Sequence, residues 1–429
     1  MSATARPVPV LRVETTPVDE LKLLLPLIDP ARPLIWMRKG QGIAGVGEAL
    51  RLEFSGPDRM LDACAAWKDV AEKAVVTDPL KVPGTGLVAF GSFAFADHSA
   101  ASSVLIVPRL LLGKRDGRYW VTTFTVEGSE PGDASGDASG SGVAGRASLP
   151  TPRPLGAEYR LSLLPGAMSA DAFRRSVDDA VHRIAAQELD KVVLARDLVG
   201  HLPAGSDLRR PLTDLALGYP DCWTYAVDGF LGSSPETLVR VSHGTVSARV
   251  LAGTTSRGTD AEADHDKAVA LATSAKDLDE HGFAVTSVVN ALAPHSRSLT
   301  TSEIPFTLKL PNLWHLASDV EGTLSDGSTS LDLIAALHPT AAVAGTPRDS
   351  ALALIAELEP FDRGRYAGPV GWVGADGDGE WAVALRSAQV DAAGDITAYA
   401  GCGIVADSDA EREYLETKMK FRPIVEAFG

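Results

Sequence analysis

Cysteine is scarce in this sequence of 429 residues, which has three: Cys64, Cys222 and Cys402. They are widely spaced, odd in number and form no Cys-x-x-Cys pair. This distribution argues against a framework of disulfides and against a zinc site built from thiolates. It is typical of a protein from a reducing compartment, and we predict a cytoplasmic location.

Long apolar runs are also missing. The most apolar stretch, residues 103–112, is interrupted by Pro108 and Arg109. Pro7 and Pro9 stand where a secretory signal would need an apolar core. We therefore predict neither a membrane-spanning helix nor a signal peptide.

Positive charge is in deficit, with 40 basic against 56 acidic residues and a net charge of -16. Nucleic acids and anionic membranes are bound mainly through Lys and Arg, so we predict neither as a partner. If the ligand is an anion, its cationic partners must be concentrated in a cleft.

The segment Glu127–Pro154 consists largely of Gly, Ser, Asp and Pro and contains little that could be buried. It predicts a flexible surface loop (127–154) between an N-terminal subregion (1–126) and a longer region (155–429). The chain length alone allows one large core or two domains.

Short β-rich runs alternate with helical stretches, and around residues 370–400 several strands follow one another without a helix. This order favours an α+β protein with antiparallel sheet over a doubly wound parallel fold. Gly40, Gly42 and Gly45 match the dinucleotide pattern G-x-G-x-x-G. Residues 49–54, which follow, alternate like a strand instead of starting a helix, so we predict no nucleotide site.

Two predicted helices, Asp260–Leu292 and Asp409–Phe428, carry carboxylates three residues apart. Asp277 and Glu280 share one face of the first helix, and Glu413 and Glu416 share one face of the second. If the helices faced each other, the four carboxylates would form a hard oxygen site suited to Mg²⁺. The alternative is a pair of solvated helices with lysines four residues from an acid, and spacing alone leaves both open.

Ten short segments occur in order between residues 173 and 424. They are KVVLAR (191–196), SPETL (234–238), LAGTTSRG (251–258), KDLDEH (276–281), NLWHL (312–316), LHPTAAVAGTP (337–347), YAGPVGW (366–372), VALRS (383–387), AGCGIV (400–405) and EYLETKMK (413–420). In these segments the sequence resembles the chorismate-utilising enzymes, which comprise isochorismate and salicylate synthases, anthranilate synthase large subunits and aminodeoxychorismate synthases. The N-terminal third matches this family more loosely.

The resemblance implies one large chorismate-binding domain over residues 1–429. Its expected fold is α+β, with two antiparallel sheets stacked as a sandwich and flanked by helices, as in anthranilate synthase component I. It also implies that Glu280 and Glu416 are the principal Mg²⁺ ligands, with Asp277 and Glu413 nearby. The metal would hold the ring carboxylate of chorismate.

The resemblance further assigns the residues that contact the substrate. Tyr366 and Arg386 would grip the enolpyruvyl carboxylate, a natural role for a guanidinium group. The full set of substrate-binding residues that it implies is Gly253, Thr254, His315, Thr340, Tyr366, Arg386, Gly401, Gly403 and Lys420.

Isochorismate formation adds water at C2 of chorismate and removes the hydroxyl at C4. By resemblance Lys191 is the base and Glu236 the acid. Lys191 opens an apolar run, which predicts burial, and an apolar pocket would keep Glu236 protonated. Taken singly, each residue favours a structural role, Lys191 at a strand edge and Glu236 in the turn after Pro235.

Three positions separate the subfamilies. Lys191 stands where anthranilate synthases have Gln, which favours water over ammonia and predicts no obligatory glutamine amidotransferase subunit. Ala252 stands where aminodeoxychorismate synthases have a nucleophilic Lys. Thr340, in the segment LHPT, resembles the residue found in isochorismate synthases. Ala341 and Ala344 differ from the residues usual in those enzymes.

We therefore predict an isochorismate synthase, and we favour menaquinone biosynthesis as its pathway. The alternatives are a salicylate synthase, a supplier of isochorismate for siderophores, and a non-catalytic chorismate-binding subunit.

Overall fold

The computed structural model describes residues 9–127 and 149–429. The centre of the predicted loop 127–154 therefore lies outside the described residues. The described helices are α1 (Arg59–Lys73), α2 (Ala170–Ala185), α3 (Arg209–Gly218), α4 (Ala261–Thr273), α5 (Ala275–Leu292), α6 (Ser330–Leu337), α7 (Arg348–Leu358) and α8 (Ala410–Phe428). Two short 3₁₀ turns occupy Leu25–Leu27 and Ala293–His295.

The strands of the described residues fall into an N-terminal and a C-terminal group. The first group is β1 (Leu11–Pro17), β2 (Leu34–Arg38), β3 (Gln41–Val46), β4 (Leu50–Phe54), β5 (Val75–Thr77), β6 (Val88–Ser92), β7 (Ser103–Val107), β8 (Leu110–Arg115) and β9 (Arg118–Val126). The second group begins with β10 (Leu164–Pro165), β11 (Lys191–His201), β12 (Trp223–Val227), β13 (Phe230–Ser234), β14 (Thr237–Ser242), β15 (Thr245–Ser256) and β16 (Ser296–Thr301). It ends with β17 (Phe306–Lys309), β18 (Leu313–Leu324), β19 (Gly345–Thr346), β20 (Pro369–Gly374), β21 (Gly379–Val383), β22 (Ser387–Val390) and β23 (Asp395–Ile404).

These strands form two sheets. The larger has the order β10-β11-β23-β22-β13-β12-β2-β3-β8-β9-β1-β5, with β19 beside β11. The smaller has the order β16-β18-β15-β14-β21-β20-β6-β7-β4, with β17 beside β18. The pairings are antiparallel except for β1 with β5. The predicted α+β fold with two antiparallel sheets is confirmed.

The main core is built from the facing sides of the two sheets. Trp36 and Trp120 from the larger sheet share one buried cluster with Phe90, Trp372 and Trp381 from the smaller sheet. Each large aromatic side chain buries about 150–250 Å², so these five anchor the layers through the hydrophobic effect. Strands β6 (VAFGS) and β13 (FLGSS) are buried along their whole length and contain only apolar and small residues.

Both sheets contain strands from the two predicted subregions. Strand β2 pairs with β12, and β6 pairs with β20, so each sheet runs through the segments before and after the predicted loop. The glycines of the dinucleotide-like pattern lie at the β2–β3 turn and in β3, and the next element is strand β4. The helix that a dinucleotide site requires is therefore replaced by a strand, as predicted.

The predicted helix Asp260–Leu292 is wrong in one respect, because it is two helices. Ser274 interrupts it, and its hydroxyl accepts a hydrogen bond from the backbone of Asp277, which caps α5. Such a cap stabilises a helix start by about 1 kcal/mol and places Asp277 in the first turn. In the same way Asp409 caps α8 through the backbone of Arg412.

None of the described helices is both long enough and apolar enough to cross a membrane.

Close packing between β8 and β9 yields a stability prediction. Gly113 lies directly opposite Trp120, and a methyl group at position 113 would overlap the indole ring. We expect Gly113→Ala to lower the free energy of unfolding by about 1–3 kcal/mol because the buried ring must shift. The control is Gly282→Ala on the exposed face of α5, where a methyl group meets nothing within 4 Å. That change should raise stability by about 0.5–1 kcal/mol through helix propensity. Urea unfolding of both variants checks the pair, and equal stabilities would contradict this packing.

Candidate active site

A cavity of about 480 Å³ lies where α5 and α8 meet the ends of several strands. Thirteen of the fifteen predicted site residues line it, although they come from segments scattered over 185 positions. They are Glu236, Gly253, Thr254, Asp277, Glu280, His315, Tyr366, Arg386, Gly401, Gly403, Glu413, Glu416 and Lys420. The predicted residues are thus brought together in one place.

The other two predicted residues, Lys191 and Thr340, do not line the cavity and are buried. Lys191 is fully buried, and its Nζ lies 3.0 Å from Oε1 of Glu280. The contact is a close ion pair and not a well-aligned hydrogen bond. Lys191 borders the cavity through Gly403, where a methyl group would lie 2.9 Å from Cε of Lys191.

Thr340 is buried, and its hydroxyl has no hydrogen-bond partner within residues 9–127 and 149–429. Ala342 and Val343 from the same loop line the cavity instead. The structure places Thr340 outside the lining, and its role in substrate binding stays a prediction.

Three of the four carboxylates on α5 and α8 contact lysines. In addition to the Lys191–Glu280 contact, Lys420 lies 2.6 Å from Glu416. Lys276 lies 3.5 Å from Glu413. The Lys276–Glu413 contact joins the two helices across the cavity, so Lys276 does not make the local pair with Glu280 that its spacing suggested. The two acidic faces therefore do face each other.

The carboxylates are crowded. Burial raises the pKa of Asp277, and the negative charges of Glu280 and Glu416 raise it further. Burial also raises the pKa of Glu413, with Glu416 the next cause. Burial opposes ionisation of Glu280 as well, but the Lys191 ammonium outweighs it and lowers the pKa of Glu280. The carboxylates with a raised pKa lie one on each helix, so the crowding of negative charge is between α5 and α8.

The four carboxylates of α5 and α8 are the candidate ligands of a metal ion. In the described part of the chain, no three acidic, histidine or cysteine side chains converge on one point in this conformation. The donors nevertheless suit Mg²⁺, which prefers carboxylate oxygens and retains several waters. The raised pKa values of Asp277 and Glu413 show that a cation here would relieve repulsion. The chemistry of the donor set therefore fits Mg²⁺.

Glu236 lies at the turn between β13 and β14, directly after Pro235. Its carboxyl group is buried, and burial raises its pKa to about 7 against the opposing charges of Arg386, Lys191 and Lys420. Both the turn interpretation and the buried-acid interpretation are therefore correct for this residue. A carboxyl group that is partly protonated near neutral pH can act as a general acid.

Arg386 lies between β21 and β22 with a left-handed backbone, at φ 50°. One of its terminal nitrogens donates to Nε2 of His315 at 3.2 Å. Burial lowers the pKa of His315 well below its usual value, with Arg386 and Lys420 adding to the effect, so the ring is neutral. Because Nε2 accepts from Arg386, the proton lies on Nδ1, which is 3.3 Å from the carbonyl of Gly253. His315 thus orients Arg386 and leaves its other donors for a ligand.

Sequence reasoning missed several residues of the cavity wall, among them Ser274, Lys276, Arg363 and Arg412. Ser274 had a detectable signal, because a Ser three residues before an acid is typical of a helix start. The role of Lys276 had none, because its partner Glu413 is 137 positions away.

The fold and the cavity together define an enzyme-like site, built from lysines, arginines and carboxylates that lie close to one another. The family model described as chorismate binding enzyme matches residues 8–429. The chain belongs to this family.

Individual relatives agree with that assignment. The chain is 39% identical over 286 residues to isochorismate synthase DhbC of Bacillus subtilis (strain 168), covering 64% of this chain and 71% of that protein. It is 33% identical to the salicylate biosynthesis isochorismate synthase of Pseudomonas aeruginosa, covering 97% of this chain and 89% of that protein. The solved structure of MenF, the menaquinone-specific isochorismate synthase of Escherichia coli, has a TM-score of 0.75 at 25% identity. That comparison covers 97% of this chain and 95% of MenF.

The buried state of Glu236 makes stability depend on pH. Its pKa is about 7 in the folded protein against an ordinary value of 4.5, so the unfolded chain loses this proton first as pH rises. The contribution of protonated Glu236 to the free energy of unfolding is therefore fully present below pH 4.5. It is lost as pH rises through about 7. We expect the wild type to lose about 2–3 kcal/mol relative to Glu236→Gln between pH 5 and pH 8. Urea unfolding of both proteins across this range checks it. A difference that does not change with pH would contradict the buried-acid assignment.

Proposed function

We propose that this protein is an isochorismate synthase that converts chorismate to isochorismate. The observation that carries the proposal is a buried carboxyl group, Glu236, with a pKa of about 7 in the same cavity as Arg386 and the acidic faces of α5 and α8. Relatives that span most of the chain bear the name isochorismate synthase, which supports the same reaction.

Substrate binding uses the cationic side of the cavity. Arg386 and Tyr366 hold the enolpyruvyl carboxylate, and His315 keeps the guanidinium turned toward the cavity. A charge-assisted pair of this kind is stronger than a neutral hydrogen bond and fixes orientation as well. At the other end Gly401, Gly403 and Lys420 surround the ring carboxylate, because glycines leave room for close approach.

Asp277, Glu280, Glu413 and Glu416 would hold Mg²⁺, with Glu280 and Glu416 as the principal ligands. When bound, the metal supplies positive charge that holds the ring carboxylate in a cavity otherwise crowded with acids. Chorismate is a dicarboxylate, so substrate and metal together add no net charge to the buried site.

The reaction is an isomerisation, since one water is gained and one is lost. Lys191 accepts a proton from the water that attacks C2, and Glu236 donates a proton to the hydroxyl that leaves C4. Lys191 is fully buried beside Glu280, and burial favours the protonated form of Glu236, as an acid requires. Each positioned proton transfer contributes about 10²–10⁴ in rate.

Two residues of the site disfavour the reactions of aminodeoxychorismate synthases and anthranilate synthases. Ala252 lines the wall at the position of the nucleophilic lysine of aminodeoxychorismate synthases, so covalent addition there has no nucleophile. Lys191 in place of a glutamine favours water as the nucleophile, and the enzyme needs no glutamine amidotransferase subunit. We assign the product to menaquinone biosynthesis, supported by the similarity to MenF over 97% of the chain. The relative named for salicylate biosynthesis is also named an isochorismate synthase.

The proposal predicts Mg²⁺-dependent turnover of chorismate. Purified protein is incubated with chorismate and either Mg²⁺ or EDTA, and the products are identified by chromatography. We expect isochorismate with Mg²⁺ and none with EDTA. Salicylate plus pyruvate would indicate a salicylate synthase, and no turnover in either condition would contradict the proposed function.

A pair of variants on α8 separates the metal site from general effects on the helix. Glu416→Gln removes a carboxylate from the cavity, and Glu426→Gln makes the same change in an exposed pair with Arg422. Glu416→Gln should raise the Mg²⁺ concentration needed for half-maximal activity at least tenfold, and Glu426→Gln should leave it unchanged.

A further inference from the structure

Strand β11, which begins at Lys191, has an incomplete outer edge. Along its inner edge it pairs continuously with β23, from Val192–Ile404 to His201–Asp395. Along its outer edge β19 pairs with residues 191 and 192, and β10 pairs with residues 198 and 199. Among the described strands, none pairs with the stretch between them. The buried backbone groups of that stretch need other partners.

An ion pair supplies two of those partners. Oε1 of Glu359 accepts a hydrogen bond from the backbone N–H of Ala195 at 2.8 Å. Arg363 donates to the carbonyl of Val193 at 2.7 Å. The N–H of Val193 donates to the carbonyl of Ala344 at 2.8 Å. Two side chains and one loop carbonyl thus take the place of a neighbouring strand.

The same arginine ties β11 to the cavity wall. It donates to the carbonyl of Val343 at 2.9 Å and to both carboxylate oxygens of Glu359 at 2.8 and 2.6 Å. Both charged side chains are 2% exposed, so the pair is held inside the protein. Arg363 borders the cavity, but its guanidinium donates to Glu359, Val343 and Val193. It therefore acts through β11 and the loop and not by contacting a ligand.

We propose that Glu359 and Arg363 are positioning residues for the reaction. The pair replaces a strand at the edge of β11 and fixes the segment after Lys191 against the wall formed by Ala342 and Val343. The pair thereby sets the distance between Lys191, the proposed base, and the cavity wall at Ala342 and Val343. Displacements of about 1 Å in such a site cost about 10²-fold in rate. This proposal rests on the proposed function for its kinetic consequence and on the hydrogen bonds alone for its structural one.

The test is Arg363→Lys, which keeps the charge. A single ammonium group cannot reach Glu359, Val193 and Val343 together as the planar guanidinium does. We expect kcat for chorismate to fall about 10- to 100-fold. KM should change less than threefold, because Arg386 and Tyr366 are untouched. The matched control is Arg183→Lys, which makes the same change in an exposed ion pair with Glu357 on α7 and should leave kcat unchanged.

A second readout is independent of activity. In Arg363→Lys the amides of residues 193–197 should exchange with deuterium faster than in the control, while α7 stays protected. An unchanged kcat would overturn the proposal. So would a fall in kcat that matches the loss of folded protein and is not accompanied by faster exchange of residues 193–197.

If Arg363→Lys does not fold, Glu359→Gln is used, because its amide oxygen still accepts from Ala195 while the ion pair is lost. It should show the same split between kcat and KM, and an unchanged kcat would overturn the proposal. A wild type inactive on chorismate refutes the proposed function, whereas the exchange result still decides whether the pair holds β11.

Discussion

The site depends on a balance of charge between α5, α8 and β11. Four carboxylates and three lysines are packed around one cavity, and buried charges are stable only when they are paired. Three carboxylates have a lysine within 3.5 Å. Asp277 is left with the capping contact to Ser274, and its pKa is raised. Among the described residues Asp277 is thus the one of these four carboxylates without an ion pair, and a bound cation would compensate its charge.

The fold builds this balance from distant parts of the chain. Antiparallel pairing of β11 with β23 brings Lys191 beside Gly403, and a capped α5 brings Glu280 against both. The left-handed backbone at Arg386 turns its side chain from the end of β21 into the cavity, where neutral His315 holds it. One rigid framework thus holds the proposed base, acid and carboxylate grip, so that little reorganisation is required during reaction.

Short-range sequence patterns predicted the features that depend on neighbouring residues, namely helix faces and the burial of a strand. The three-residue spacing in α5 and α8 placed each carboxylate pair on one face, and the apolar run after Lys191 predicted its burial. The family resemblance predicted the two sheets and thirteen of the residues that line the cavity. Sequence could not show that Lys276 pairs across helices, because that contact depends on tertiary packing. The break at Ser274 and helix α3 (Arg209–Gly218) were missed for a related reason, since their short signals compete with longer apolar patterns around them.

The central claim is that the site adds a water molecule to chorismate and expels the original hydroxyl. The measurement that tests it most directly is turnover in H₂¹⁸O, followed by mass spectrometry of the product with the label located by fragmentation. The account predicts one ¹⁸O atom in isochorismate, in the hydroxyl at C2. An unlabelled product would mean that the hydroxyl migrates within the substrate, and it would contradict the roles assigned to Lys191 and Glu236.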